Sequence, residues 1–230
     1  MSQSIPIILC LLSLVGVVAG GGKADSLRYL ALGDSYTIGE GVPPRDRWPV
    51  QLAGLLRQRG IVVGEPQIIA RTGWTVADLA AGIDAAAPRG PFDLVTLLIG
   101  VNDQYQGADA EAYRPGLARM LSRAVALAGG DPRRVVVLSI PDWGVTPFAR
   151  ETGRDPARIS SEIERFNAVD RQEAIKAKVL FVDVTPVSRR VASEPSLLAS
   201  DGLHYAGAMY GEWARLALPA AAEAISMTHP

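Results

Sequence analysis

The stretch FDLVTLLI at residues 92–99 is almost wholly apolar, and the polar turn GVND at residues 100–103 follows it directly. An apolar run of this length without polar alternation is typical of a strand that is buried on both faces. Such strands belong to parallel sheets that helices cover on either side, because a solvated face would place polar residues at every second position. The stretch therefore predicts a buried parallel strand with a polar loop at its carboxyl end.

Short β-rich runs and longer helical patterns alternate on both sides of this stretch. The other predicted strands are residues 27–32, 67–70, 134–140 and 179–184. Apolar residues recur at helical spacing in residues 49–59, 76–83, 113–128, 156–176 and 205–225. A strand followed by a helix, repeated five times, predicts a five-stranded parallel sheet with helices on both faces. The predicted fold class is α/β, with a three-layer α/β/α sandwich.

Composition and charge exclude several classes of protein. Of the 230 residues, 48% are hydrophobic and 20% are charged, which is typical of a globular chain with a sizeable core. The net charge of −1 lacks the basic excess of a nucleic-acid-binding protein, so no nucleic-acid partner is expected. No GxxxxGKS or GxxxxGKT string occurs, which excludes that type of phosphate-binding loop. We predict a single domain over residues 25–230.

The first 24 residues have the composition of a signal peptide or an N-terminal anchor. Residues 5–18 are almost wholly apolar, and no charged side chain precedes Lys23. Ala19 and Ala24 are candidate cleavage sites, so we predict export to the periplasm or the extracellular space. An uncleaved membrane anchor remains the alternative, because no Lys or Arg precedes the apolar run and its length is marginal for a spanning helix. Membrane or lipid contact is expected through this leader only.

The few cysteines and histidines limit the possible chemistry. The single cysteine, Cys10, lies in the leader, so a chain without the leader has neither a disulfide nor a cysteine nucleophile. Of the two histidines, His229 is the penultimate residue, which leaves His204 as the candidate for any mechanism that needs an imidazole. A zinc site of the usual Cys/His type lacks ligands. We expect neither a metal nor a cofactor.

Polar residues follow each predicted strand, where open parallel sheets bind their ligands. In chain order these segments are Gly33-Asp34-Ser35, Arg71-Thr72-Gly73-Trp74, Gly100-Val101-Asn102-Asp103, Pro141-Asp142-Trp143 and, after a longer connection, Asp201-Gly202-Leu203-His204. Because the carboxyl ends of parallel strands meet at one edge of the sheet, we expect a serine, a glycine, an asparagine and an Asp-x-x-His pair at the same rim.

These residues are the components of a serine hydrolase. A serine hydroxyl is a weak nucleophile until a base accepts its proton, and His204 is the only base of the right kind. Asp201, three residues earlier, can bond the imidazole and fix its tautomer. The tetrahedral intermediate of acyl transfer carries an oxyanion that needs hydrogen-bond donors. The backbone N–H groups of Ser35 and Gly73 and the side-chain amide of Asn102 can supply three.

The blocks GDS, a later glycine, GxND and DxxH stand in this order in the SGNH hydrolases, the GDSL-like lipases and esterases, which the chain resembles over residues 27–226. The resemblance implies a flavodoxin-like strand order of 2-1-3-4-5. It implies a serine esterase whose partner is a small-molecule ester, such as a short-chain acyl ester, an acetylated sugar or a lysophospholipid. The implied catalytic residues of the acyl-enzyme mechanism are Ser35 as nucleophile, His204 as base and Asp201 as orienting acid. The implied oxyanion hole consists of Ser35, Gly73 and Asn102.

Several neighbouring residues have a less specific interpretation. Tyr36 stands where the motif name has leucine. Asp34 and Asp103 are expected to accept hydrogen bonds from the backbone near the site and not to react. Aromatic residues after the strand ends are candidate walls of a substrate pocket, although each can equally belong to ordinary core packing. These are Trp74, Tyr105 and Trp143, with Trp48 and Phe148 as further members of the group.

Two other functions fit the same residues. The acyl group could pass to a sugar or lipid alcohol in place of water. Alternatively, the chain could be a catalytically silent binding domain on the same scaffold, although its complete set of reacting groups argues against that interpretation.

Overall fold

Five short parallel strands form the sheet at the centre of the protein. The structure, a computed structural model, describes Met1 and residues 26–226; the rest of the predicted leader, including Cys10, and His229 lie outside the described residues. The strands are β1 (Tyr29–Gly33), β2 (Gln67–Ala70), β3 (Leu94–Leu98), β4 (Val135–Leu138) and β5 (Leu180–Val182). They pair in the order β2-β1-β3-β4-β5. This order confirms the expected fold.

Long and short helices connect the strands. Among residues 26–226 the α-helices are α1 (Ser35–Ile38), α2 (Trp48–Gln58), α3 (Val76–Ala86), α4 (Val101–Tyr105), α5 (Ala110–Leu127), α6 (Pro147–Glu151), α7 (Pro156–Ala177), α8 (Thr185–Ser188) and α9 (Gly207–Ser226). Short 3₁₀ helices occur at Pro44–Asp46, Pro132–Arg134, Trp143–Val145, Arg189–Ala192 and Pro195–Leu197. Within the described part of the chain, no helix has both the length and the hydropathy needed to cross a membrane.

The apolar runs become strands because helices cover the sheet on both sides. Helices α2 and α9 pack against each other in one layer, while α3, α5 and α7 pack side by side in the other. Every residue of β1, β3 and β4 is buried, whereas the edge strands β2 and β5 are only partly buried. The uninterrupted apolar sequences of the inner strands therefore match two covered faces.

The strand register brings together the polar loops at the carboxyl ends of the strands. Gly33, the last residue of β1, pairs with Ala70 at the end of β2 and with Leu98 at the end of β3. A Cβ atom at Gly33 would overlap the carbonyl oxygen of Leu98, so glycine permits this close approach. Because the three strands end level with one another, the chain segments that follow them meet at the same rim.

Candidate active site

A capped turn of helix places Ser35 at the end of β1. The Asp34 side chain is the N-cap of α1, and its Oδ1 accepts a hydrogen bond from the N–H of Tyr36 at 3.0 Å, as the sequence predicted. Gly39 ends the helix in the left-handed conformation. Ser35 is the first residue of α1 and is only 5% exposed. The cap therefore fixes the serine at the rim of the sheet.

Asp201 and His204 form a closed turn in the segment before α9. His204 Nδ1 lies 2.6 Å from Asp201 Oδ2. Asp201 Oδ1 accepts the backbone N–H groups of Leu203 and His204, each at 2.9 Å. Burial raises the pKa of Asp201, but the hydrogen bonds from His204 and from these N–H groups outweigh it and hold the pKa below its usual value. The carboxylate is thus ionised, and Nε2 is the ring nitrogen left to accept a proton.

Asn102 is held by the segment that follows β2. Its Nδ2 donates a hydrogen bond to the carbonyl oxygen of Trp74 at 2.9 Å, which occupies one of its two amide hydrogens. The neighbouring Asp103 accepts the N–H of Val76 at 3.0 Å, again as predicted. These two contacts fasten α4 to the start of α3 and orient the Asn102 amide.

A small cavity of about 190 Å³ brings the predicted reacting groups together. Its lining residues are Ser35, Tyr36, Val101, Asn102, Tyr105, Trp143, Phe148, Leu203 and His204. Gly73 is exposed, has a left-handed backbone with φ of 84°, and lies outside this set. Its role as an oxyanion donor stays a prediction. Among residues 26–226, no group of three or more His, Cys, Asp or Glu side chains is arranged to hold a metal ion.

Three aromatic rings make up one wall of the cavity. Tyr105 and Trp143 were predicted as pocket residues, with Phe148 as a further member of the group. The ring centroids of Tyr105 and Trp143 are 5.5 Å apart, and Phe148 lies 6.4 Å and 6.1 Å from them. Trp74, the third predicted pocket residue, does not line the cavity, because its ring packs over Gly82 of α3. Trp48 is fully buried at the start of α2 and belongs to the core.

Three lining residues were not identified as pocket residues from the sequence: Tyr36, Val101 and Leu203. Each is the immediate neighbour of a predicted reacting residue, and this adjacency was the available signal. The Tyr36 ring packs edge-on against His204, with 5.7 Å between the ring centroids. Tyr36, which stands where the motif name has leucine, therefore packs against the imidazole and restricts its position.

Comparisons with known proteins identify the family and the fold. The model of the GDSL-like lipase/acylhydrolase family matches residues 31–211. A comparison with curated proteins found no match. Among solved structures, TesA is 22% identical (TM-score 0.63, 84% of this chain and 97% of that one). The acetylxylan esterase Axe2 from Geobacillus stearothermophilus is 21% identical, with a TM-score of 0.64 over 85% of this chain and 94% of that one. A member of the lipolytic G-D-S-L family from Veillonella parvula is 17% identical, with a TM-score of 0.60 over 89% of this chain and 100% of that one.

These structural similarities show a shared fold, and the family match covers most of the chain. The family is described as one of lipases and acylhydrolases, which are enzymes that cleave ester bonds. The chain belongs to the GDSL-like lipase/acylhydrolase family and is a serine hydrolase that acts on ester bonds.

Proposed function

We propose that this protein hydrolyses esters of short, apolar carboxylic acids through an acyl-enzyme on Ser35. One observation carries the proposal: Ser35, Asn102 and the Asp201-bonded His204 line the same small cavity. The cavity brings a nucleophile, a base and a hydrogen-bond donor together, as acyl transfer requires.

In the first half-reaction, Ser35 Oγ attacks the ester carbonyl carbon while His204 Nε2 accepts the hydroxyl proton. The Asp201 carboxylate at Nδ1 stabilises the imidazolium that forms. The carbonyl oxygen becomes an oxyanion, which accepts hydrogen bonds from the Ser35 N–H and the Asn102 amide. The Gly73 N–H is a further donor on the sequence prediction alone. The C–O bond to the alcohol then breaks, and His204 returns the proton to the departing alcohol oxygen.

In the second half-reaction, water attacks the acyl-enzyme. His204 accepts a proton from this water as its oxygen bonds to the acyl carbon. The bond from that carbon to Ser35 Oγ then breaks, and Oγ takes the proton from His204. The products are the carboxylic acid and the free serine, so atoms and charge balance over the cycle.

The size and lining of the cavity favour a short acyl group. A protein cavity of about 150 Å³ is large enough to hold a benzene molecule. The cavity here, at about 190 Å³, therefore has room for an acyl chain of about six carbon atoms. Its walls away from the reacting groups are apolar, formed by Val101, Leu203 and the three aromatic rings. An apolar acyl group would gain from burial there.

Hydrolysis of p-nitrophenyl acetate tests the proposal. We expect Ser35→Ala and His204→Ala to lower kcat by at least about 10³-fold, because residues of a catalytic triad act as a unit. A fluorophosphonate should add to the wild type, seen as a mass shift of the intact protein, and not to Ser35→Ala. A Ser35→Ala protein with wild-type activity would overturn the proposal. A wild type that gives neither turnover nor adduct would favour a silent binding domain.

A further inference from the structure

Trp143 is held in the cavity wall by a buried glutamine. The indole Nε1 of Trp143 donates a hydrogen bond to Gln104 Oε1 at 2.8 Å, and both residues are 1% exposed. Gln104 Nε2 in turn donates to Glu162 Oε2 of α7 at 2.7 Å. Only one orientation of the Gln104 amide offers an acceptor to the indole and a donor to the carboxylate. The hydrogen bonds that link Glu162 of α7 to Trp143 therefore fix the Gln104 amide in one orientation.

Two arginines fix the outer end of this contact. Arg154 Nη2 donates to Glu162 Oε2 at 2.7 Å, and Arg158 Nε donates to Oε1 at 2.9 Å. The Glu162 side chain is 16% exposed. Burial raises the pKa of Glu162, but hydrogen bonds from Arg158 and Gln104 outweigh it and keep the pKa below its usual value. Glu162 is therefore a charged acceptor, and hydrogen bonds to charged groups are stronger than those between neutral groups.

Arg154 also contacts the wall directly. Its guanidinium carbon lies 5.4 Å from the centroid of the Trp143 ring, within the range of a cation–π contact. Its Nη1 donates to the backbone oxygen of Tyr105 at 3.4 Å. Arg154, Glu162 and Gln104, which we call the outer brace, thus contact both Trp143 and Tyr105 from outside the cavity. None of the three lines the cavity that holds Ser35 and His204.

We propose that the outer brace holds Trp143 and Tyr105 in the cavity wall and thereby limits the length of the acyl group that the enzyme accepts. The inference rests on the proposed function, because it concerns the acyl site of that reaction. Its members are positioning residues: they act on the substrate only through the two rings. Without the brace, the two rings can move outward, and the cavity then admits a longer acyl group.

The test compares two glutamates of the same helix. Glu162→Gln removes the charge to which Gln104 and the arginines bind. Glu173→Gln is the matched control, since Glu173 is also on α7, is 9% exposed at its side chain, and also binds two cations, Arg114 and Lys176. We expect Glu162→Gln to raise the ratio of kcat/KM for p-nitrophenyl octanoate over acetate about tenfold, within the range that methylene groups contribute in apolar pockets. Glu173→Gln should leave the ratio unchanged.

A second measurement reports on the brace without any activity. The indole N–H resonance of Trp143, assigned by its loss in Trp143→Phe, should shift and exchange faster with solvent in Glu162→Gln than in the wild type. Arg154→Gln, at a more exposed position, gives the same comparison if Glu162→Gln does not fold.

The possible failures are distinguishable. An active Glu162→Gln or Arg154→Gln protein with the wild-type ratio and an unshifted resonance would overturn the brace alone. An equal change of the ratio in Glu173→Gln would also overturn it, because the effect would then reflect a general loosening of α7. A wild type that hydrolyses neither ester would overturn the proposed function and, with it, the role in acyl length.

Discussion

The Asp201 carboxylate illustrates how much one residue contributes to the site. Its Oδ2 bonds His204 Nδ1, and its Oδ1 accepts two backbone N–H groups that close the turn. An asparagine can keep the turn through its amide oxygen. Its NH₂ group, however, would face Nδ1 and favour the tautomer in which Nε2 carries the proton and cannot act as a base.

We therefore expect Asp201→Asn to lower kcat for p-nitrophenyl acetate by about 10³- to 10⁴-fold while the protein stays folded. Steady-state kinetics and a thermal unfolding curve measure the two effects. Asp131→Asn is the control. Asp131 precedes β4 and so lies at the amino ends of the strands, away from the candidate site, and its substitution should leave kcat at the wild-type value. A reduction of less than tenfold in Asp201→Asn would contradict the role given to this carboxylate.

The roles of some residues can be predicted from the sequence, and those of others cannot. Ser35, Asn102 and His204 could be identified because each stands in a short block of characteristic residues near a strand end. Glu162 could not, because its partner Gln104 is 58 positions away and nothing local to a helical glutamate indicates a buried contact. Trp74 was placed in the pocket from its position after β2, but the small Gly82 below it lets the ring pack on α3.

Among the elements, α3 begins with a capping box next to the candidate site. The Thr75 side chain accepts the N–H of Asp78, and the Asp78 side chain accepts the N–H of Thr75. Thr75→Ala removes the first contact, so the free energy of unfolding should fall by about 1 kcal/mol. Chemical denaturation of Thr75→Ala and of Thr75→Ser, which keeps the hydroxyl, measures the effect. An equal loss in both variants would assign the effect to something other than the cap.

Element length decides which helices the sequence reveals. The longer helices α2, α3, α5, α7 and α9 have an apolar stripe and were predicted to within a few residues. Helix α5 begins at Ala110 and not at the predicted Tyr113, because the Asp109 side chain caps it by accepting the N–H of Glu111. Helices α1 and α4 were missed, since four or five residues are too few to show a periodicity. These two short helices carry Ser35 and Asn102.

At the scale of the whole molecule, alternating strands and helices predict a covered parallel sheet but do not order its strands. The order came from the resemblance to a family, and the structure confirms it. This order places β1 and β3 side by side, with their last residues Gly33 and Leu98 in register. Ser35 and Asn102, which are 67 positions apart in the chain, reach one cavity for that reason.

The interior also contains carboxyl groups that favour the uncharged form. Burial raises the pKa of Asp170 well above its usual value, and its Oδ1 accepts a hydrogen bond from the Tyr113 hydroxyl. Asp34 is fully buried, and its Oδ2 has no hydrogen-bond partner among the described residues. Burial raises the pKa of Asp34 from 3.8 to about 8. Such groups make the stability of the whole fold depend on pH.

Asp34→Asn isolates this effect, because an asparagine can still cap α1 but does not ionise. Below about pH 4 the wild-type carboxyl is protonated in the folded and the unfolded chain. From about pH 4 to about pH 8 only the unfolded chain loses the proton, so the wild type loses stability relative to Asp34→Asn, by at most about 1.4 kcal/mol per pH unit. Urea unfolding of both proteins at pH 4, 6 and 8 measures the difference. A difference that stays constant, or that changes in favour of the wild type as the pH rises, would mean that the buried carboxyl is ionised in the folded protein.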